Sequence, residues 1–264
     1  MRPYLKTAIE AALLAGKEIM TVYTRNFEVE IKDDASPLTE ADRAANTVIV
    51  KLLQQTPFPI ISEESRQLPY ETRKNWETCW IVDPLDGTKE FIKKNDEFTV
   101  NIALVSNGIP VMGVILVPAL NELYYTIVSE SKAYKVVVED SDTDIDLLFA
   151  KAESIHPKIH PTKTRVVGSR SHMNDETLHF IEQLKSNGKE IEIVSKGSSL
   201  KFCLIAEGAA DYYPRFAPTM EWDTAAGQAI CKAVNVTVKD ITTGNEMQYN
   251  KEHLLNHFFL VTNQ

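Results

Sequence analysis

Asp83-Pro84-Leu85-Asp86, followed at once by Gly87-Thr88, sets two carboxylates beside a glycine turn. Cys79-Trp80-Ile81-Val82 leads into it and reads as a short buried strand. Pro84 lacks an N–H and has a fixed φ, so the ladder is expected to stop there. Asp86-Gly87 is a turn pair, because Gly takes positive φ without steric cost. Carboxylate oxygens thrown off a strand end suit a hard cation, and N–H groups freed beside them suit a phosphate oxygen. An Asx-turn would use the same letters, so this stretch alone leaves both readings open.

Two other acidic sites end core elements: Glu63-Glu64 after Ile60-Ile61-Ser62, and Asp223 after Trp222, expected in the first turn of a helix. Singly, each has an ordinary explanation. Asp223 could partner a helix macrodipole, Asp42 could close a capping box with Thr39, and Glu64 reads as a solvated neighbour. Several acids close in space repel unless cations neutralise them, so the ordinary explanations fit less comfortably together than singly.

The elements that must position these groups follow from the pattern. A helix is expected over about Leu5 to Val22, with Leu5, Ile9, Ala12, Leu13 and Ile19 on one face. Phe27, Val29 and Ile31 alternate with charged residues as a strand with one wet face, broken at Ser36-Pro37. Thr39 fits a helix N-cap, with Ala45, Val48, Ile49, Leu52 and Leu53 as the core stripe beyond it. Thr99–Val105, Ile109–Val117 and Leu123–Val128 read as an antiparallel meander. The polar stretch Glu139–Thr164 reads as a loop between two halves, 1–138 and 139–264. From Arg165 strands and helices alternate. Ser171 or Asn174 caps one helix, Gly197-Ser198-Ser199 opens the next and Gly208 closes it. An antiparallel first half and an alternating second half give an α/β protein of layered sheets and helices.

At 264 residues the chain can bury a large core, and a net charge of −9 argues against nucleic acid or an anionic membrane as its main partner. Cys79, Cys203 and Cys231 lie far apart in apolar runs, as buried thiols of a reducing cytoplasm do, and no apolar run approaches the ~20 residues of a membrane span.

The three stretches Ile60-Ile61-Ser62-Glu63-Glu64, Asp83-Pro84-Leu85-Asp86-Gly87-Thr88 and Trp222-Asp223-Thr224-Ala225-Ala226-Gly227 resemble, in order and spacing, the inositol monophosphatase superfamily of Mg²⁺-dependent, Li⁺-sensitive phosphatases. The resemblance covers nearly the whole chain and implies an αβαβα sandwich. Within it, Lys89-Glu90-Phe91, Asn95 to Asn101, Gly197 to Cys203 and Tyr213-Pro214-Arg215-Phe216 resemble the 3′(2′),5′-bisphosphate nucleotidases of sulfur assimilation. Inositol phosphatases carry an acid near the place of Arg215, where a cation would suit a second phosphate.

By resemblance, Glu63, Asp83 and the Leu85 carbonyl would hold one Mg²⁺, and Asp83, Asp86 and Asp223 a second, with two ions or three in all. Thr88 paired with Asp42 would orient and deprotonate a water, with Glu63 beside it. The N–H groups of Gly87 and Thr88 would cradle the phosphoryl oxygens. His172, Ser198, Lys201 and Arg215 would grip a small nucleotide bisphosphate. The alternatives are an inositol or sugar-phosphate phosphatase of the same chemistry, and a non-catalytic nucleotide or metal sensor. Monomer and homodimer both stay open.

Overall fold

The structure, a computed structural model, describes residues 1–31, 37–139, 144–168, 174–185 and 190–263. Helix α1 (Arg2–Tyr23) presents alanines and Leu5, Ile9, Ile19 and Val22 as a buried stripe. The hairpin of β1 (Val29–Ile31) and β2 (Pro37–Thr39) precedes α2 (Glu40–Leu53). Then come β3 (Ile60–Ser62), α3 (Tyr70–Arg73), β4 (Thr78–Asp86), α4 (Thr88–Ile92), β5 (Thr99–Ser106), β6 (Ile109–Val117), β7 (Glu122–Ile127) and β8 (Lys132–Val137). Helix α5 (Ile145–Lys151) leads to β9 (Glu153–Ile155). The remainder is β10 (Lys163–Gly168), α6 (Asp175–Lys185), β11 (Glu190–Ser195), α7 (Leu200–Ala206), β12 (Tyr212–Arg215), α8 (Ala225–Ala233), β13 (Thr237–Asp240) and β14 (Phe259–Thr262).

Strands β3 to β9 form a seven-stranded sheet in sequence order, antiparallel apart from the β3–β4 pair. The second sheet has the order β11-β10-β12-β14-β13. Helices α1 and α2 cover one face of the first sheet, α7 and α8 lie between the sheets, and α6 packs on the second sheet. The layers are therefore αβαβα.

Strand β4 shows why the sandwich forms. Trp80 and Val82 pack into the core under α1 and α2, whereas Cys79 and Ile81 pack into the core shared with α7 and α8. A strand buried on both faces reads as a continuous apolar run, and each such side chain contributes about 1.5–3 kcal/mol. Helix α8 approaches the sheet at Gly113, where a Cβ would lie 2.6 Å from the Ala226 carbonyl oxygen.

Three expectations change. Strand β4 does not stop at Pro84; it runs to Asp86, with Asp83 opposite Asn101 and Asp86 opposite Thr99, so one extra residue is accommodated as a bulge. A bulge is one of the places where a strand tolerates proline, since the missing N–H is not needed there. The strand at Val29–Ile31 is exposed on both faces rather than one. The stretch between the halves is not all loop, for it holds α5 and the edge strand β9. Among the described residues no helix is long and apolar enough to cross a membrane.

Candidate functional site

The bulge at Pro84-Leu85 sets the geometry of the acids. It places Asp83 and Asp86 at the end of β4 with their carboxylates close together, although a regular strand would turn residues three apart to opposite faces. Asp223 arrives from the other side. It does not sit in the first turn of α8; it ends a 3₁₀ turn, Glu221–Asp223, immediately before that helix. Its Oδ2 accepts from the Met220 N–H at 2.8 Å, which fixes the carboxylate. One oxygen from each of Asp83, Asp86 and Asp223 lies within 4.8 Å of the others. Glu63 follows β3 directly and pairs with Asp83.

Burial pushes the carboxyls of all three aspartates upward. Asp83, 1% exposed, is raised well above the usual range by burial and then by the charges of Glu63, Asp86 and Asp223. Asp223 is pushed up to about 8, first by burial and then by Asp86. Asp86 is pushed up to about 6 by burial, against the opposing pull of Lys201 and the Ser199 N–H. An all-oxygen set that resists ionising together is the donor set a hard divalent cation requires. The residues therefore fit a Mg²⁺ site.

A stability prediction follows from the signs. Each aspartate holds its proton more tightly in the folded protein than in the unfolded chain, whose value is 3.8. Their contribution to stability is fully present below that value and is lost as pH rises through about 6 for Asp86 and about 8 for Asp223. Mg²⁺ should consequently raise the thermal midpoint more at about pH 8 than at about pH 5.5. Calorimetric scans at both values check this, and an equal gain would contradict it.

Asp42 divides its carboxylate between two partners. Its Oδ2 accepts from the Thr39 N–H and hydroxyl, both at 2.7 Å, completing the capping box of α2. Its Oδ1 accepts from the Thr88 hydroxyl at 3.2 Å. That hydroxyl also lies 3.4 Å from the Leu85 carbonyl oxygen. Gly87 is left-handed, φ +91°, and caps α4, whose first-turn N–H groups have no intrahelical acceptor.

A cavity of about 120 Å³ opens beside the acids and is lined by Asp86, Gly87, Ser198, Lys201, Arg215 and Asp223, among others. Ser198 is left-handed at φ +45°, and both its hydroxyl and the Nε of Arg215 are buried without a hydrogen-bond partner. Lys201 is 6% exposed, and burial pulls its ammonium down to about 8. Unpartnered polar atoms beside a buried cation suit an anion. His172 lies outside the described residues.

The structure adds residues that were not singled out from the sequence. The Glu97 carboxylate accepts from the Gly197 N–H at 2.9 Å, and Asp86 Oδ2 accepts from the Ser199 N–H at 2.6 Å. Ser199 is in turn held by Thr99 and Asn101. The available signal was two polar residues, Thr99 and Asn101, two apart in an otherwise apolar strand.

The family model for the inositol monophosphatase family matches residues 1–262. A 3′(2′),5′-bisphosphate nucleotidase, CysQ of Salmonella typhimurium, is 45% identical, covering 98% of this chain and 99% of the relative. The crystal structure of CysQ from Bacteroides thetaiotaomicron superposes with a TM-score of 0.89 at 48% identity, over 98% of this chain and 97% of that one. An inositol monophosphatase from Anabaena superposes with a TM-score of 0.72 at 21% identity, over 99% and 91%, a likeness of fold alone.

Proposed function

The chain belongs to the inositol monophosphatase family, and on that footing we propose that it is a Mg²⁺-dependent 3′(2′),5′-bisphosphate nucleotidase. It would hydrolyse adenosine 3′,5′-bisphosphate to AMP and phosphate. The observation that carries the reading is the convergence of Asp83, Asp86 and Asp223 within 4.8 Å, beside a cavity that holds Lys201, Arg215 and the unpartnered Ser198 hydroxyl. Half 1–138 supplies most of the acids, and half 139–264 the groups that choose the substrate. The similarity to nucleotidases over nearly the whole chain supports the choice of substrate.

Glu63, Asp83, the Leu85 carbonyl, Asp86 and Asp223 would hold two Mg²⁺ or three. Bound there, the metal supplies charge neutralisation and an acidified water. The chain does the rest. Because Thr39 occupies one oxygen of Asp42, the other is aimed at Thr88. With its proton directed to Asp42, the Thr88 oxygen accepts from the attacking water, and the water's proton passes through it to Asp42. Glu63 would stand beside that water. The N–H groups of Gly87 and Thr88 hold the phosphoryl oxygens as their charge develops. Ser198, Lys201 and Arg215, with His172, grip the 5′-phosphate that is spared. The water oxygen bonds to phosphorus, the ribose oxygen leaves, and no covalent enzyme intermediate is needed. The reading sets the enzyme in the cytoplasm and makes it sensitive to Li⁺.

The test is phosphate release with and without Mg²⁺ from adenosine 3′,5′-bisphosphate and from inositol 1-phosphate. A kcat/KM at least ~100-fold higher for the nucleotide, dependent on Mg²⁺, is the expected result. A preference for inositol 1-phosphate would move the chain to the other branch, and no turnover of either would leave a sensor.

A further inference from the structure

Asp86 is held by a polar chain that reaches it from β5 and from the turn that opens α7. Its Oδ2 accepts from the Ser199 N–H at 2.6 Å, and the Asn101 amide nitrogen lies 3.5 Å from the same oxygen. The Ser199 hydroxyl lies 2.6 Å from the Asn101 amide oxygen and 2.8 Å from the Thr99 hydroxyl. Thr99, Asn101 and Ser199 are all buried, at most 2% exposed. Water does not reach such groups freely, so their hydrogen bonds have to close among themselves.

The donor inventory fixes how they close. An amide oxygen cannot donate, so the single Ser199 hydroxyl proton goes to Asn101. The Thr99–Ser199 contact must then use the Thr99 proton. The Asn101 amide cannot be turned the other way, since that would set its oxygen against the Asp86 carboxylate. The proton order is therefore Thr99 to Ser199 to Asn101 to Asp86. The Ser199 N–H and the Asn101 amide end on Oδ2, with the Thr99 hydroxyl oxygen also 3.5 Å from it, and that leaves Oδ1 for the cation.

We propose that Thr99, Asn101 and Ser199 are positioning residues that set Asp86 for metal binding by engaging one of its oxygens and presenting the other. This deepens the proposed function and rests on Asp86 being a metal ligand. The same chain ties β5 to the turn that opens α7, where Ser198 and Lys201 stand, so the metal ligand and the nucleotide cavity are placed by one set of bonds. Glu97 secures that turn two residues before Ser199, through Gly197.

The experiment is calorimetric titration of the full chain with Mg²⁺, without substrate. The variants are Ser199→Ala, Asn101→Leu, Thr99→Val and Thr99→Ser, with Asp83→Asn as the control. Losing a residue that orients a ligand costs roughly 10- to 100-fold in metal affinity. Ser199→Ala, Asn101→Leu and Thr99→Val should each weaken Mg²⁺ binding by about tenfold or more, and Thr99→Ser, which keeps the hydroxyl, should bind within about twofold of the unaltered protein. Rescue by Thr99→Ser but not by Thr99→Val is the readout that a general loosening of the fold would not give. Variants that melt at the unaltered midpoint and bind Mg²⁺ normally overturn the inference. If Asn101→Leu does not fold, the Thr99→Val and Thr99→Ser pair decides by the same criterion. Should the unaltered protein bind no Mg²⁺, or Asp83→Asn bind it undiminished, the metal-site reading itself fails, a result separate from the failure of the positioning claim.

Discussion

Asp83→Asn should lose at least ~10³-fold of its Mg²⁺-dependent turnover while the metal-free protein becomes more stable. Asp83 is the most enclosed of the clustered aspartates, and burial together with Glu63, Asp86 and Asp223 disfavours its charge. Asparagine keeps the shape and retains an oxygen for the bond that Asp83 Oδ1 accepts from the Leu85 N–H at 3.1 Å. It removes one of the mutually repelling charges. Relief on the order of 2 kcal/mol would raise the midpoint of a chain of this size by ~4–8 °C near pH 8. On the proposed reading a metal ligand would be lost at the same time, so Mg²⁺ would no longer be held for the reaction. Thermal scans with and without Mg²⁺ and phosphate-release assays on one preparation check both halves. A more stable, inactive variant is the signature of a strained functional site; a destabilised one would mean that Asp83 is structural.

That strain explains which parts of the molecule could be read from sequence. The acids stood out because charged residues at the ends of apolar runs violate the pattern around them, and Glu63, Asp83 and Asp223 do so in three separate places. The layers were legible for the complementary reason: β4, β5 and β6 each carry a continuous apolar run, as strands covered on both faces do. Asp42 supported two readings, capping and catalysis, and the structure gives one oxygen to Thr39 and the other to Thr88. The course of the chain at Pro84 was less legible. Proline excludes a ladder bond at its own nitrogen but does not say whether the strand ends or bulges, and here the partners Asn101 and Thr99 carry the ladder past it. Thr99, Asn101, Ser199 and Glu97 lie in stretches that carry the resemblance, but their individual roles were not legible because uncharged or singly charged residues in a strand or turn have many uses. What distinguishes them is who stands opposite, across roughly a hundred residues of chain. Helix α5 and strand β9 hid in a polar stretch whose edge position requires little apolar surface.

Arg215→Glu should separate the phosphate that is cleaved from the phosphate that is held. The guanidinium donates from Nη2 to the Pro218 carbonyl oxygen at 3.1 Å, and its buried Nε has no partner. It also shares the cavity with Lys201 and favours the charged form of Asp223. Glutamate there would replace attraction to a 5′-phosphate with repulsion in a poorly hydrated space, a change of about 4 kcal/mol or ~10³-fold in kcat/KM for adenosine 3′,5′-bisphosphate. The same substitution would also disturb Asp223, and hence metal binding, whatever the substrate. Adenosine 3′-monophosphate isolates that cost, because it presents the cleavable group and lacks the 5′-phosphate. Its kcat/KM should fall by no more than ~10-fold, so the ratio between the two substrates should collapse by about a hundredfold. Equal losses on both would assign Arg215 to the metal site through Asp223 and leave the 5′-phosphate to Ser198 and Lys201. An unchanged ratio with full activity would remove the cavity from nucleotide recognition altogether.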